Sequence, residues 1–129
     1  MAVRLRCEDP SEFDVQLERA AQTARDSAKP LFILFTGAVV PETGRSWCPD
    51  CVKADPVINK VLHELEGGGV LLECPVVRAE YREPEYAYRT NQFKLACVPT
   101  LIKWENKKIS RRLNDDQSQD EDLVRELMA

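Results

Sequence analysis

The sequence predicts an α/β fold in which helices cover both faces of a mixed central β-sheet, in a single domain over residues 1–129. Strand and helix patterns alternate along the chain and end in a β-hairpin. Leu31–Phe35 is continuously apolar, as expected for a strand that is buried on both faces. The length of 129 residues is also typical of one compact domain.

Each predicted element follows from the spacing of its apolar residues. Strands are predicted where apolar residues alternate with polar ones or run without interruption, and helices where they recur every three or four positions. In chain order, these are a strand over Val3–Cys7, a helix over Phe13–Ala28, a strand over Leu31–Phe35, a polar loop over Thr36–Ser46, a helix that includes Val57–Leu65, a strand over Val70–Val77, a helix over Glu83–Phe93, strands over Thr100–Trp104 and Lys108–Leu113, and a helix over Leu123–Met128.

Capping and turn residues predict several helix ends. Asp9 and Pro10 suit the N-cap and the first position of the first helix. Pro56 is expected to kink the second helix without ending it, because the apolar spacing resumes beyond it. The second helix should stop at Gly67–Gly69, and Ser118–Glu121 has the pattern of a capping box before the last helix.

Composition and charge argue against several classes of protein. Apolar residues make up 43% of the chain and charged residues 31%, as in globular proteins. The net charge of −4 disfavours nucleic acid and anionic membranes as partners. The longest apolar run, Leu31–Phe35, is too short to span a bilayer, and the charged N-terminal residues do not form a signal peptide. We therefore expect a reducing, cytoplasmic compartment.

The cysteines are the most informative residues. There are five, at Cys7, Cys48, Cys51, Cys74 and Cys97. In a reducing compartment a framework of structural disulfides is not expected. The one close pair has the Cys-x-x-Cys spacing of redox-active dithiols and of metal sites. Cys74 and Cys97 are expected to act mainly as small core residues, and Cys7 carries no distinct signal.

The Cys-x-x-Cys pair has the properties of a redox dithiol if Pro49 opens a helix. Cys48 is then the N-cap, where free N–H groups and the helix dipole favour a thiolate that attacks a substrate disulfide. Cys51 follows on the same helical face, resolves the mixed disulfide and leaves the pair oxidised. Pro49 and Asp50 tune this chemistry, because Pro49 removes one N–H and Asp50 adds a negative charge beside the nucleophile.

Two other interpretations of the pair stay open on this reasoning alone. A zinc site needs four ligands, which Cys74, Cys97 and His63 would have to complete. Alternatively, the pair consists of two unreacted buried cysteines at a helix start. Either interpretation would make the protein a non-catalytic interaction module that senses redox state or holds zinc.

Several motifs together resemble the thioredoxin superfamily over nearly the whole chain. They are Trp-Cys-Pro-Asp-Cys at residues 47–51 after a buried strand, Pro56 in the next helix, and Val-Pro-Thr at residues 98–100 before the terminal hairpin. The pentapeptide and the long loop before it are similar to those of the thioredoxin domain-containing protein 17 family. The resemblance implies a thioredoxin fold.

The resemblance also implies a function. It implies a cytosolic protein-disulfide reductase, expected to be a monomer, with Cys48 as nucleophile, Cys51 as resolving thiol, and a redox potential set partly by Pro49 and Asp50. No bound cofactor and no catalytic metal are implied, because thioredoxin reductase supplies the electrons from NADPH. The implied substrates are protein and small-molecule disulfides, with some peroxide reduction.

The same resemblance implies a substrate groove formed by Trp47, Val98 and Pro99. Val98 and Pro99 match the cis-proline turn of thioredoxins, where backbone of the first residue pairs with an extended substrate. Packing is an equally good explanation for Trp47. Thioredoxins carry a buried acid that assists the second cysteine, but the matching position here is Leu34. Resolution is therefore expected to use water or another base, such as Asp50, and the long loop predicts a narrower substrate range.

Overall fold

A computed structural model describes residues 2–129. Its strands are β1 (Val3–Arg6), β2 (Leu31–Gly37), β3 (Val39–Val40), β4 (Arg45–Ser46), β5 (Val70–Val76), β6 (Thr100–Glu105) and β7 (Lys108–Leu113). Its helices are α1 (Phe13–Ser27), α2 (Pro49–Glu64), α3 (Arg78–Tyr81), α4 (Ala87–Thr90) and α5 (Glu121–Met128). No helix within the described residues is both long enough and apolar enough to cross a membrane.

Five strands form a mixed sheet in the order β1–β5–β2–β6–β7, which confirms the predicted α/β architecture. β1, β5 and β2 run parallel, whereas β6 is antiparallel to β2 and β7 is antiparallel to β6. β2 is the central strand, and every residue in it is buried. β3 and β4 form a separate small hairpin within the loop that leads from β2 to α2.

Helices cover both faces of the sheet because alternate residues of β2 point in opposite directions. Ile33 and Phe35 pack under α1 in a layer that contains the aromatic rings of Phe13, Tyr88 and Phe93. Phe32 and Leu34 pack on the other face, against α2 and α5. The end of β2 is thereby held beside the start of α2, where Cys48 and Cys51 lie.

The two edges of the sheet are both charged. On β1, Arg4 and Arg6 form ion pairs with Glu73 of β5, at 3.7 and 2.8 Å. On β7, Lys108 and Arg111 are exposed. Charged edge strands are unfavourable templates for pairing with another strand.

The structure contradicts the predicted helix over Glu83–Phe93. Within that segment, only α4 is helical, and α3 lies before it. Tyr86, Tyr88 and Phe93 are all buried. Their spacing of two and five residues does not place three side chains on one face of a helix, so core packing determined this segment.

The cap of the last helix also differs from the prediction. The carboxylate of Asp120 accepts hydrogen bonds from the N–H groups of Asp122 and Leu123, so Asp120 is the N-cap of α5. Ser118 is fully buried and donates its hydroxyl to the carbonyl of Asn114. An aspartate two residues closer to the apolar stripe therefore replaces the predicted serine cap.

Candidate active site

Cys48 is the N-cap of α2, as predicted from the proline that follows it. Its backbone is extended, and Pro49 occupies the first turn of the helix. The Cys48 sulfur accepts a hydrogen bond from the N–H of Cys51 at 3.2 Å. In its thiol form it donates to the carbonyl of Val98 at 3.4 Å. The sulfur thus lies at the positive end of a 16-residue helix, where a negative charge is stabilised.

The backbone that leads into Cys48 is held by Ser46 and Gly37. The hydroxyl of Ser46 donates to the Gly37 carbonyl at 2.8 Å and accepts from the N–H of Cys48 at 3.1 Å. Sequence reasoning did not single out either residue. The available signal was a glycine at the end of a buried strand, which often marks a close approach of two chain segments.

Gly37 lies in a space that has no room for a side chain. A methyl group at this position would lie 2.6 Å from the Ser46 hydroxyl, 2.9 Å from Cβ of Cys48 and 3.1 Å from the ring of Trp47. The N–H of Gly37 also donates to the sulfur of Cys51 at 3.2 Å. Gly37 therefore affects both cysteines. Its N–H bonds to the sulfur of Cys51, and its missing side chain leaves the space that Cβ of Cys48 approaches.

Cys51 is buried behind Cys48 and is only 1% exposed. The pKa of the Cys51 thiol is raised to about 12, because burial and the interaction with Cys48 raise it by more than the bonds from Gly37 and Thr36 lower it. Leu34, at the position matching the buried acid of thioredoxins, packs among apolar residues of α2 and α5. Cys51 is thus a protonated thiol in the resting dithiol.

We expect the resolving step to accelerate with pH, by about tenfold per unit between about pH 7 and 9, because only the thiolate of Cys51 attacks a disulfide. The hydrogen bond with Cys48 is altered once that residue is in a mixed disulfide, but burial, the largest cause of the raised pKa, remains. The measurement is stopped-flow release of thionitrobenzoate from the Cys48 mixed disulfide. Cys51→Ser should release none on this timescale, and a rate independent of pH would contradict the assignment.

Asp50 forms part of an acidic group beside the dithiol. Its carboxylate lies together with those of Asp115 and Asp116, all within 4.8 Å of one another. Pro49 is exposed, whereas Asp50 is half-buried. The two additional aspartates come from the segment after β7 and were not foreseen from the sequence, since 65 residues separate them from Asp50. Three negative charges near the start of α2 disfavour a further negative charge on the Cys48 sulfur, whereas the helix dipole favours it.

Trp47 and the turn at residues 98 and 99 flank the dithiol, as the predicted groove required. The indole N–H of Trp47 donates to the carbonyl of Val76 at 2.7 Å, and its ring packs against Tyr81 at 5.8 Å between centroids. The ring is thus packed on one side and half-exposed, and its role in substrate binding stays a prediction. The Val98–Pro99 peptide bond is cis, and both residues are buried.

The structure does not bring the proposed zinc ligands together. Within residues 2–129, the Asp50, Asp115 and Asp116 carboxylates are the one set of three or more candidate ligand groups whose atoms lie within 4.8 Å of one another. His63 is exposed in the last turn of α2, far from its first turn. Cys97 is half-buried and its sulfur lies 3.6 Å from the hydroxyl of Thr100.

Comparison with known proteins gives consistent matches. Residues 11–129 match the family described as thioredoxin domain-containing protein 17-like, thioredoxin domain. The chain is 37% identical over 123 residues to the thioredoxin-like protein Clot of Arabidopsis thaliana, covering 94% of this chain and 92% of that protein. It is 39% identical over 79 residues to human thioredoxin domain-containing protein 17, covering 60% of this chain and 63% of that protein. A solved structure of reduced thioredoxin pre-protein from Schistosoma mansoni, 13% identical, matches with a TM-score of 0.61 over 98% of this chain and 99% of that chain. The predicted thioredoxin fold is confirmed.

Proposed function

Because the chain belongs to the thioredoxin domain-containing protein 17-like family, we propose that it is a cytosolic protein-disulfide reductase with Cys48 and Cys51 as its dithiol. The family and the fold support thiol–disulfide oxidoreductase activity in general. The observation that carries the finer proposal is the sulfur of Cys48, held at the N-terminus of α2 by the N–H of Cys51 at 3.2 Å.

The proposed cycle transfers two electrons to a disulfide. The thiolate of Cys48 attacks one sulfur of the substrate, forms a mixed disulfide and releases the first substrate thiolate. The thiolate of Cys51 then attacks the sulfur of Cys48, the mixed disulfide breaks and the second substrate thiolate leaves. Each released thiolate takes up a proton, and the protein is left with a Cys48–Cys51 disulfide. Thioredoxin reductase restores the dithiol with two electrons from NADPH, so no bound cofactor is needed.

An extended apolar segment of a protein is the form of substrate that best fits the surroundings of Cys48. Among residues 2–129, no acceptor receives the N–H of Val98, and this group lies in the turn that faces the nucleophile. Val39 and Val77 are 63% and 43% exposed. The residues that precede them, Ala38 and Val76, accept hydrogen bonds from Trp47. A substrate strand would bond to Val98 and cover these apolar side chains.

The β3–β4 hairpin supports a narrower substrate range than that of thioredoxins. It projects from the loop just before Trp47 and pairs Val39 with Ser46. A bulky folded substrate would have to pass this hairpin to reach Cys48. The proposal also includes slow reduction of hydroperoxides, in which the Cys48 thiolate is oxidised to a sulfenic acid and Cys51 displaces water from it.

The proposed function is tested by a coupled assay with thioredoxin reductase, NADPH and several protein and small-molecule disulfides. We expect NADPH consumption that depends on this protein and on the disulfide. Reduction of small-molecule disulfides should be less affected by the hairpin than reduction of a folded protein such as insulin. Absence of NADPH consumption with every disulfide, while authentic thioredoxin is active in the same mixture, would refute the proposal.

Asp50→Asn is expected to increase the rate at which iodoacetamide alkylates Cys48 at pH 7, by about two- to fivefold. One of three clustered negative charges is removed, so the thiolate form is less disfavoured and the pair becomes more oxidising. Asp26→Asn, near the end of α1, makes the same charge change away from the dithiol and serves as the control. An unchanged or slower reaction in Asp50→Asn would show that this carboxylate does not act on Cys48.

A further inference from the structure

Cys7 and Cys74 lie side by side on neighbouring strands, away from the helix start that holds the Cys48–Cys51 dithiol. β1 and β5 are parallel with Arg6 opposite Glu73, and the N–H of Cys7 donates to the carbonyl of Glu73 at 2.9 Å. The next step of this register places Cys7 beside Cys74. Directly paired residues of neighbouring strands are about 5 Å apart between Cα atoms, a separation that a disulfide spans.

Both sulfurs belong to one buried polar cluster, formed by Cys7, Cys74 and Tyr88. Cys7 is 1% exposed and Cys74 is fully buried, and both lie in the core layer under α1. The hydroxyl of Tyr88 lies 3.7 Å from the sulfur of Cys7. Cys74 belongs to the same core layer as Cys7 and Tyr88. The register of β1 and β5 therefore places both cysteine side chains on the same face of the sheet, in neighbouring positions.

The two thiols differ in how readily each one loses its proton. Interaction with Cys74 lowers the pKa of Cys7 against the opposing effect of burial, and the nearby hydroxyl of Tyr88 lowers it further. Burial raises the pKa of Cys74 well above its ordinary value. Cys7 is accordingly the thiol that ionises, and Cys74 is the neighbouring thiol that can react with an oxidised Cys7. This is the division of roles expected of a nucleophilic and a resolving cysteine.

We propose that Cys7 and Cys74 form a second dithiol, which closes to an intramolecular disulfide when the protein encounters a hydroperoxide. The thiolate of Cys7 attacks the outer oxygen of the hydroperoxide, the O–O bond breaks, and an alcohol or water leaves after protonation. The thiol of Cys74 then displaces water from the sulfenic acid, and the S–S bond forms. In sum, two thiols and one hydroperoxide give one disulfide, one alcohol and one water.

The position of Cys7 allows a small oxidant to reach this buried pair. Cys7 directly follows β1, an edge strand of only four residues, and its thiol also contacts the carbonyl of Asp9 at 3.3 Å. A brief separation of this short strand from β5 exposes the sulfur, since short edge elements open more readily than central strands. The disulfide would then join β1 covalently to β5 and oppose further opening.

The test uses the full chain carrying Cys48→Ser and Cys51→Ser, so that the first dithiol cannot contribute. The protein is treated with hydrogen peroxide in its folded state, unfolded, alkylated and analysed by peptide mass spectrometry. We expect a peptide pair linked through Cys7 and Cys74, with the loss of two hydrogen atoms, while Cys97 remains alkylated. Reduction should restore alkylation of both linked cysteines.

Three variants in the same background sharpen the result. Cys7→Ser and Cys74→Ser should each abolish the linked peptide, whereas Cys97→Ser should leave it unchanged. The first readout needs no substitution of Cys7 or Cys74, so a folding defect in either variant does not affect it. Free Cys7 and Cys74 thiols after oxidation, a link to Cys97 instead, or a sulfinic acid on Cys7 without a link would each overturn the proposal. None of these outcomes bears on reduction of substrates by Cys48 and Cys51.

Discussion

Replacing Cys48 with serine is expected to lower NADPH-coupled disulfide reduction by roughly a thousandfold or more, because a serine hydroxyl does not ionise near neutral pH and cannot form a mixed disulfide. The sulfur accepts from the N–H of Cys51 at the start of α2, so serine fits the same cap position. The loss should therefore be chemical rather than structural. Circular dichroism and thermal unfolding of Cys48→Ser should resemble those of the unsubstituted protein.

Cys51→Ser should lose turnover to a similar extent but for a different reason. The nucleophile remains, so a mixed disulfide forms at Cys48 and accumulates instead of being resolved. Mass spectrometry after incubation with a disulfide substrate should detect this adduct in Cys51→Ser and not in Cys48→Ser. Cys97→Ser is the matched control and should retain activity. Activity above a tenth of the original in Cys48→Ser, or an adduct at Cys51 in place of Cys48, would contradict the assigned roles.

Gly37→Ala is expected to destabilise the protein by about 1–3 kcal/mol and to lower reductase activity at least tenfold, since the added methyl overfills a packed site. The methyl would lie 2.6 Å from the Ser46 hydroxyl and 2.9 Å from Cβ of Cys48. Relief of this overlap must move the segment that carries the nucleophile or the strand that donates to Cys51. A fall in Tm of roughly 3–15 °C corresponds to that cost.

Gly44→Ala is the matched control for this substitution. Gly44 has a φ of +71°, so an alanine there is strained, but apart from its chain neighbours no heavy atom lies within 4 Å of the added methyl. We expect Gly44→Ala to lose stability through backbone strain while keeping its activity. Activity and Tm in Gly37→Ala equal to those of the unsubstituted protein would show that the close packing beside Cys48 is not required.

The local features of the site could be predicted because they depend on adjacent residues. Pro49 favours the first turn of a helix, and that preference alone places Cys48 at the N-cap. The seven buried residues of β2 follow in the same way from an uninterrupted apolar pattern. The predicted hairpin between β6 and β7 is also confirmed, with Asn106 and Lys107 at φ of 52° and 62° in its two-residue turn.

Other features could not be predicted because they arise from contacts between distant residues. Tyr86, Tyr88 and Phe93 pack in a core layer that β2 and α1 also form, whereas the sequence of that segment alone suggested a helix. The approach of Asp115 and Asp116 to Asp50 depends on where β7 ends. Cys7 acquires a partner only through the register between β1 and β5, which no local pattern specifies.

The charged strands at both margins of the sheet bear on how the proposed reductase would meet unfolded substrate proteins. A protein that binds unfolded chains can itself promote aggregation, if those chains pair with the exposed edge strands of its sheet. Charged side chains make both margins unfavourable for such pairing: Arg4 and Arg6 on one, Lys108 and Arg111 on the other. Under the proposed function, substrate backbone would instead pair with Val98, whose turn lies opposite Cys48.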